Sequence, residues 1–234
     1  MHQGGDKFSG WEEFRKAGVW NSDPYPYRKR WGNMKTKTKK FEFYSETLKA
    51  SLTSHAEKHA TTTDDILETC NYQARGEHAF IPHYEEPYLW GDEKEYPFIH
   101  VDYKSRLNRE GRSANCPWYQ ELKDLDPGDE SWDDVAKLNP IDATKLGIEN
   151  GDQIKFISTT GEIECHAKLW EGVQPGTVAK CYGQGHWAYG RVAAKEYGKV
   201  PRGGNNNVII PADYDRLSGS TAFYGVTRVK IVTA

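Results

Sequence analysis

The chain has 234 residues, of which 37% are hydrophobic and 28% charged, so it carries enough apolar material for one core but spreads it thinly. Its net charge of -3 gives no overall field that would gather nucleic acid or anionic lipid. No run approaches the ~18 apolar residues of a membrane span, and the N-terminus has no hydrophobic signal region. We therefore expect no direct membrane insertion and a cytoplasmic location unless a partner carries the chain across a membrane.

The N-terminal part of the sequence predicts short helices and irregular connections. Ser9 and Glu12 form a capping-box pattern, and Gly18 would end the helix that it opens. The run 41–45 alternates like a strand, and the runs 45–60 and 61–70 are typical of helices with Ser or Thr starts. A proline-rich, acidic connection then predicts a domain boundary near residue 92. We expect a helical and irregular extension at 1–92 that contacts a partner or a substrate domain.

The C-terminal part predicts a β domain over residues 93–234. A strand is expected within 96–103, and a helix begins at Asn139 with Pro140 in its first position and ends at Gly147. The run 152–170 predicts a hairpin that turns at Thr160 and Gly161, and further strands are expected within 177–182, 207–210 and 226–232. Short strands with glycine and proline turns favour a small closed barrel or a sandwich.

Convincing catalytic or metal-binding patterns are missing from the sequence. His55 and His59 have the i, i+4 spacing of helix-borne metal ligands, but Ala56 stands where a metalloprotease needs its glutamate. The cysteines are too far apart for a Cys-x-x-Cys pair, which argues against zinc ribbons and iron–sulfur clusters within the chain. They are Cys70, Cys116, Cys165 and Cys181. We therefore expect no catalytic residue and no metal ligand from this chain.

Two glycine-rich stretches, "GQGHW" at 183–187 and "RGGNNN" at 202–207, are the best candidates for a ligand site. Glycines let a backbone approach a ligand closely, asparagine amides offer a donor and an acceptor, and successive turn amides can hold an anion. Asparagine also fills ordinary turns, because it accepts left-handed backbone conformations. The residues alone leave both interpretations open.

The order of motifs resembles the molybdopterin oxidoreductases of the dimethyl sulfoxide reductase superfamily. "LNPIDATKLGIENGDQIKFISTTGEIECHAKL", "VQPGTVAKCYGQGHWAYGR" and "GGNNNVIIPADYDRLSGSTAFYGVTRVKI" resemble its C-terminal dinucleotide-binding domain. "GWEEFRKAGVW", "TKTKKFEFYSETL" and "YPFIHVDYKSRLNREGRSANCPWYQEL" resemble the stretches before that domain in the thiosulfate, polysulfide, tetrathionate and arsenate reductase branch. The resemblance implies a mainly β protein with α segments, a six-stranded double-psi β-barrel preceded by an α and irregular extension.

The same resemblance implies a cofactor, molybdopterin guanine dinucleotide with molybdenum or tungsten, and places residues near it. Two stretches would face the pterin and diphosphate, the glycine loops would lie near the pterin and nucleotide, and a third segment would close over the ligand. The implied binding residues are Tyr103, Lys104, Ser105, Arg106, Ser113, Asn115, Gln184, His186, Trp187, Asn205, Asn206, Ser218, Thr221 and Tyr224.

The resemblance also implies partners, since nothing in this chain corresponds to the family's earlier domains. Those domains carry the iron–sulfur cluster and the protein ligand of the metal, and an electron-transfer iron–sulfur subunit is a second candidate partner. We expect a split or truncated catalytic subunit that acts on an inorganic sulfur or arsenic oxyanion or a similar acceptor, and that does not turn over alone. The alternative is a non-enzymatic barrel that has lost the cofactor and serves in complex assembly.

Overall fold

The computed structural model describes residues 8–20, 34–105, 111–121, 135–221 and 226–234. The chain divides into two compact units, and the division falls after Tyr84. Trp90 already belongs with the second unit, because its N–H donates to the Val226 carbonyl at 2.7 Å and its carbonyl accepts from the Arg228 N–H at 2.9 Å. The segment just before the expected boundary at residue 92 is thus attached to the last strand of the second unit.

The first unit is built from short helices, which are α1 (Trp11–Ala17), α2 (Glu46–Lys58), α3 (Thr63–Thr69) and a 3-10 helix at Gly76–Phe80. The predicted Ser and Thr starts are confirmed. Ser45 Oγ accepts from the Leu48 N–H at the start of α2, and Thr62 and Asp65 form a full capping box on α3. Leu52, Leu67 and Phe80 are buried where these elements pack together.

Two predictions in this unit are wrong. The helix α1 has Gly10 as its N-cap, and Ser9 bonds Glu13 instead of Glu12, with its N–H at 2.6 Å and its hydroxyl at 2.8 Å. The run 41–45 forms no strand. A strand needs a neighbour to complete its backbone hydrogen bonds, and the Ser45 N–H instead donates to the Phe80 carbonyl at 2.7 Å.

The capping box of α3 gives a direct test of this unit. Thr62 Oγ1 accepts from the Asp65 N–H at 3.1 Å, and Asp65 Oδ2 accepts from the Thr62 N–H at 3.1 Å. Thr62→Ala leaves that Asp65 amide without its cap and is expected to lower the free energy of unfolding by about 1 kcal/mol in urea denaturation. Thr63→Ala, one residue inside the helix, is the matched control and should change stability much less. Equal losses would mean that the cap does not stabilise α3.

The second unit contains all the strands described. They are β1 (Phe98–Tyr103), β2 (Val135–Leu138), β3 (Gln153–Ile157), β4 (Glu162–Leu169), β5 (Thr177–Cys181), β6 (Ala194–Glu196), β7 (Val200–Pro201) and β8 (Thr227–Thr233). Its helices are α4 (Pro117–Glu121), α5 (Pro140–Leu146) and 3-10 helices at Arg112–Asn115 and Asn206–Val208. Six strands close into a barrel in the order β1-β5-β2-β4-β3-β8, which confirms the predicted fold, and β6 pairs with β7 beside it.

The barrel has two parallel and four antiparallel strand pairs, and their directions fix the end of the barrel at which each strand finishes. β1 runs parallel to β5 and β2 runs parallel to β4, whereas the other barrel neighbours are antiparallel. Inward side chains fill the barrel with a core that includes Leu138, Ile154, Phe156, Ile209 and Val229. Because parallel strands finish at the same end, the segments that follow β1 and β5 emerge side by side.

The local signals around α5 are confirmed in detail. Asn139 Oδ1 accepts from the Ile141 N–H at 2.9 Å, Pro140 is the first helical residue, and Gly147 ends the helix with a left-handed backbone. The predicted hairpin between β3 and β4 is also confirmed, and in its register Phe156 lies opposite Ile163.

The predicted strand at 207–210 is wrong. Asn206–Val208 form a 3-10 turn, and Ile209 and Ile210 are buried against the barrel core. The turn rests on the tip of the β3–β4 hairpin, where Thr160 Oγ1 donates to the Val208 carbonyl at 3.3 Å. A Cβ on Gly161 would lie 2.7 Å from that same carbonyl oxygen, so this glycine permits the close approach.

Candidate functional site

One end of the barrel brings together two of the stretches expected at the ligand. Tyr103 and Cys181 are directly paired at the ends of β1 and β5. Beyond them, the Tyr182 N–H donates to the Tyr103 carbonyl at 3.1 Å, and the Ser105 N–H points at Cys181 Sγ at 3.3 Å. The segment 103–105 therefore lies beside the start of the "GQGHW" loop.

The two glycine-rich stretches touch each other at Gly185. Its N–H donates to the Arg202 carbonyl at 2.9 Å. Its backbone is left-handed, at φ +84°, and a Cβ there would lie 2.5 Å from Asn205 N and 2.6 Å from Asn205 Cβ. Only glycine fits at this crossing, because a side chain would push the 202–207 stretch away. The sequence marked both stretches but not their contact.

Asn115 pins the segment that follows the "GQGHW" loop. Its Oδ1 accepts from the Val192 N–H at 3.2 Å, and Gly190 lies so close that a Cβ would be 2.0 Å from that oxygen. Tyr189 adds a hydrogen bond from its hydroxyl to the Arg112 carbonyl at 3.2 Å. The predicted site residues Ser113 and Asn115 thus lie next to the loop, with Ser113 buried.

A cleft of about 740 Å³ opens between the outer face of β4 and the 200–205 segment. Gly185, Gly203, Gly204 and Asn205 form part of its wall, so backbone is accessible along one side. The charged groups on its walls carry both signs. They are Glu162, Glu164, Lys168, Lys195 and Arg202. Such a cleft can accept an anionic group beside basic side chains and a hydrogen-bonding ring beside carboxylates.

His186 has a buried ring nitrogen, and the next residue, Trp187, has an exposed ring. The His186 ring lies 4.9 Å from the Tyr189 ring, and Trp187 is 57% exposed. His186 Nε2 is buried and makes no hydrogen bond to any residue in the described part of the chain. Buried ring nitrogens are almost always hydrogen-bonded, so this atom is placed for a ligand or water partner. That orphaned nitrogen and the glycine wall fit the polar ring system of a pterin nucleotide.

The neighbouring residues Asn205 and Asn206 have different surroundings. Asn205 is exposed, and its Oδ1 accepts from the Asn207 N–H at 3.1 Å, which starts the 3-10 turn. Asn206 is only 2% exposed and points into the barrel, where its Nδ2 donates to Asp102 Oδ1 at 2.5 Å and to the Lys180 carbonyl at 3.2 Å. Of the predicted pair, Asn205 borders the cleft while Asn206 holds the loop from beneath.

The remaining predicted site residues are spread more widely. Lys104 is exposed at a second cleft on the outer face of β1, and Gln184 is buried next to Gly185. Ser218 and Thr221 belong to a turn of their own, in which the Ser218 N–H donates to Asp215 Oδ1 at 2.6 Å and Thr221 bridges Tyr214. Arg106 and Tyr224 lie outside the described residues.

A buried polar cluster under the site was not predicted. His100 and Asp102 on β1 point inward, as does Lys180 on β5, which is 0% exposed. Burial, assisted by the positive charge of Lys180, lowers the pKa of His100 to about 3. Burial raises the pKa of Asp102, while the Asn206 hydrogen bond and the Lys180 charge oppose that rise. Polar residues at inward positions of two otherwise apolar strands were a readable signal of this cluster.

Comparison with known proteins identifies the family. Residues 111–227 match the family described as "Molydopterin dinucleotide binding domain". The chain belongs to this family. The matched range runs from Gly111 to Thr227, covers strands β2 to β7 and includes both glycine-rich stretches that meet at Gly185. The predicted family and its class of cofactor, a molybdopterin dinucleotide, are confirmed.

Relatives of this molybdopterin dinucleotide-binding chain are larger proteins. It is 61% identical to the arsenate respiratory reductase molybdopterin-containing subunit of Shewanella sp. strain ANA-3, over 97% of this chain and 27% of that protein. It is 57% identical to the corresponding subunit of Chrysiogenes arsenatis, over 98% of this chain and 28% of that protein. A tetrathionate reductase of Archaeoglobus fulgidus is 39% identical over 47% of this chain and 9% of that protein. The chain thus spans about a quarter of the length of the arsenate reductase subunits.

A solved structure supports the fold. Acetylene hydratase from Pelobacter acetylenicus superposes with a TM-score of 0.51 at 22% identity, covering 85% of this chain and 24% of that one. Across the residues that the structure describes, no group of three His, Cys, Asp or Glu side chains could hold a metal ion. No helix in the described ranges is long and apolar enough to cross a bilayer.

Proposed function

We propose that this chain holds a molybdopterin guanine dinucleotide as one part of a molybdenum oxidoreductase that reduces an inorganic oxyanion, with arsenate as the favoured acceptor. The observation that carries the proposal is the contact between the two glycine-rich loops at Gly185, beside a cleft with a backbone wall. Identity above half to two arsenate respiratory reductase subunits over almost the entire chain supports the choice of acceptor.

Each proposed contact uses a group in the cleft wall or in the "GQGHW" loop. His186 Nε2 would accept or donate one hydrogen bond to the pterin, and the exposed Trp187 ring would cover it. Asn205 and the backbone of 203–205 would line the dinucleotide, with Lys195 and Arg202 near its phosphates. When bound, such a cofactor supplies the metal at which the acceptor gives up an oxygen atom and receives two electrons.

This chain spans about a quarter of the length of the arsenate reductase subunits, so the rest of the active enzyme belongs to the parts that it does not span. A metal ligand and a path for electrons are needed, and we propose that a catalytic part with an iron–sulfur cluster supplies both. This chain would then bind, orient and shield the cofactor, since pre-organised contacts from rigid elements are what make such a site precise. Ser105 is held by its N–H bond to Cys181 Sγ at the end of β5, and Asn115, two residues after Ser113, is held by its bond to the Val192 N–H.

The proposal predicts the contents and activity of the complex that contains this chain. Affinity purification of the tagged chain from its native host should yield molybdenum and, after acid hydrolysis, guanine nucleotide, both measured per mole of chain. The complex should oxidise a reduced viologen with arsenate, whereas the chain purified alone should not. A complex that lacks both metal and guanine nucleotide would favour the non-enzymatic assembly module instead. Turnover by the isolated chain would contradict the proposal that another part of the enzyme supplies the metal ligand and the path for electrons.

A further inference from the structure

The inner end of the barrel beneath the two loops carries charges where a core is usually apolar. Lys180 is fully buried, and its neighbours inside the barrel include His100 and Asp102 on the adjacent strand β1. Removing an ammonium group from water costs several kcal/mol unless its protons are satisfied by good acceptors. A fully buried lysine therefore needs bonds that make up for this cost.

Lys180 reaches from β5 to the loop at the cleft. Its Nζ donates to the Gly204 carbonyl at 2.9 Å and approaches the Cys181 carbonyl at 3.5 Å. Gly204 is held from its other side by β4, since a Cβ on it would lie 2.7 Å from Ile163 Cβ and 2.9 Å from the Glu164 carbonyl oxygen. The backbone at 204 is thus fixed between a buried charge and a neighbouring strand.

Asn206 makes a second connection in the same direction. Its Nδ2 bonds both the Asp102 carboxylate and the Lys180 carbonyl, so one side chain joins the loop to β1 and to β5. Asp102 on β1 is the acidic side chain of this cluster. The positive charge of Lys180 lowers the Asp102 pKa and so opposes the rise that burial causes. The cleft residue Asn205 lies between the two anchored positions, 204 and 206, and the cleft residue Gly203 comes just before them.

We infer that Lys180, Asp102 and Asn206 are positioning residues that hold the 203–207 loop in its ligand-binding conformation before any ligand arrives. The inference rests on the proposed function, because it assigns this loop to the dinucleotide. A loop that is already ordered loses little conformational entropy when the ligand binds, so the ligand binds more tightly and leaves more slowly. The barrel keeps a buried lysine because its charge fixes the loop that carries Asn205.

The test compares Lys180→Met with Val178→Ala in the complex purified through the tagged chain. Val178 points into the barrel from the same strand and is buried, so its truncation weakens the core without touching the anchor. Hydrogen exchange by mass spectrometry should show the amides of 203–207 exchanging about tenfold faster in Lys180→Met, the change expected from losing a charge-assisted hydrogen bond. Guanine nucleotide per chain should fall about threefold, a loss of under 1 kcal/mol of binding free energy.

Val178→Ala should raise exchange along β5 and its neighbours without singling out the loop, and should keep its nucleotide. Uniform exchange changes in both variants, or an unaltered loop in Lys180→Met, would overturn the inference. A wild-type complex without guanine nucleotide would instead overturn the proposed function, while the exchange comparison would still decide the anchor.

A double variant separates positioning from charge balance. Lys180→Met leaves the half-buried Asp102 without its counter-charge, whereas Lys180→Met with Asp102→Asn removes both charges and should recover thermal stability. If the inference is right, the double variant keeps fast exchange at 203–207 and a low nucleotide content, because the bond to Gly204 is still missing. Recovery of slow exchange and full nucleotide content would show that the residues only balance each other's charge. If Lys180→Met fails to fold, the double variant is compared with the wild type directly.

Discussion

Gly185→Ala is expected to reduce the guanine nucleotide that co-purifies with the complex by about tenfold or more, equivalent to at least about 1.4 kcal/mol of binding free energy. The added Cβ would lie 2.5 Å from Asn205 N and 2.8 Å from Asn205 Cα, which is backbone and cannot rotate away. The 202–207 stretch must then move off the "GQGHW" loop, and the wall of the cleft opens. Nucleotide and molybdenum per chain, measured beside the wild type, give the result.

The matched control is Gly198→Ala. Gly198 also has a left-handed backbone, at φ +79°, but a Cβ there would meet nothing within 4 Å. Both variants carry the same strain of about 1 kcal/mol for a non-glycine residue in this conformation, and only Gly185→Ala adds the clash. Equal losses of nucleotide in the two variants would show that backbone strain alone is responsible. Full nucleotide content in Gly185→Ala would mean that the contact between the loops does not hold the ligand.

The barrel could be predicted where the signals were local. Asn139, Pro140 and Gly147 carry their start and stop information in adjacent residues, and the β3–β4 hairpin needs only a turn and alternation. β2 was missed because it is four residues long, and its outward Lys137 is covered by Tyr103 and Trp170, with its Nζ 4.6 Å and 5.0 Å from their ring centroids. A buried, aromatic-flanked lysine has no signature in the sequence beside it.

Whereas β2 is a strand that was not predicted, residues 207–210 were predicted as a strand that the structure does not contain. Apolar residues in a short run fit a strand or a turn packed on a core equally well, and the sequence does not record which neighbour arrives. Here Thr160, at the tip of the β3–β4 hairpin, donates a hydrogen bond to the Val208 carbonyl, so the chain turns instead of extending. Tertiary contacts decide such segments, as local preference is weak over a few residues.

In the candidate site, too, some features could be predicted from the sequence and others could not. Glycines and asparagines in the two stretches could be read from the sequence, and the family resemblance placed His186 and Asn205 at a ligand. The contact at Gly185 and the inward turn of Asn206 depend on how distant segments cross, so they appeared only with the fold. The alternation of β1 and β5 did place His100, Asp102 and Lys180 on the inner face, which makes the buried cluster the one feature that closer attention to periodicity would have found.

The largest expected response to pH comes from His100. This histidine is 1% exposed, and burial with the Lys180 charge lowers its pKa to about 3, against about 6.5 in an unfolded chain. Above pH 6.5 the ring is neutral in both states, so stability is fully present. As pH falls below about 6.5, His100 binds a proton in the unfolded chain but stays neutral in the folded chain down to about pH 3. Stability is lost between these two pH values. At pH 5 the loss should be about 2 kcal/mol of unfolding free energy.

Urea denaturation of the wild type and His100→Leu at pH 7 and pH 5 measures this loss. Leucine cannot be protonated, so the drop between the two pH values should be about 2 kcal/mol smaller in the variant. Asp102 acts in the opposite direction, since its raised pKa lets the folded chain bind a proton first, and comparing the two proteins cancels that contribution. His166→Leu, on the exposed face of β4, removes a histidine without altering the interior and should keep the wild-type drop. The same drop in wild type and His100→Leu would mean that His100 does not stay neutral inside the barrel, and that Lys180 shares its space with a second positive charge.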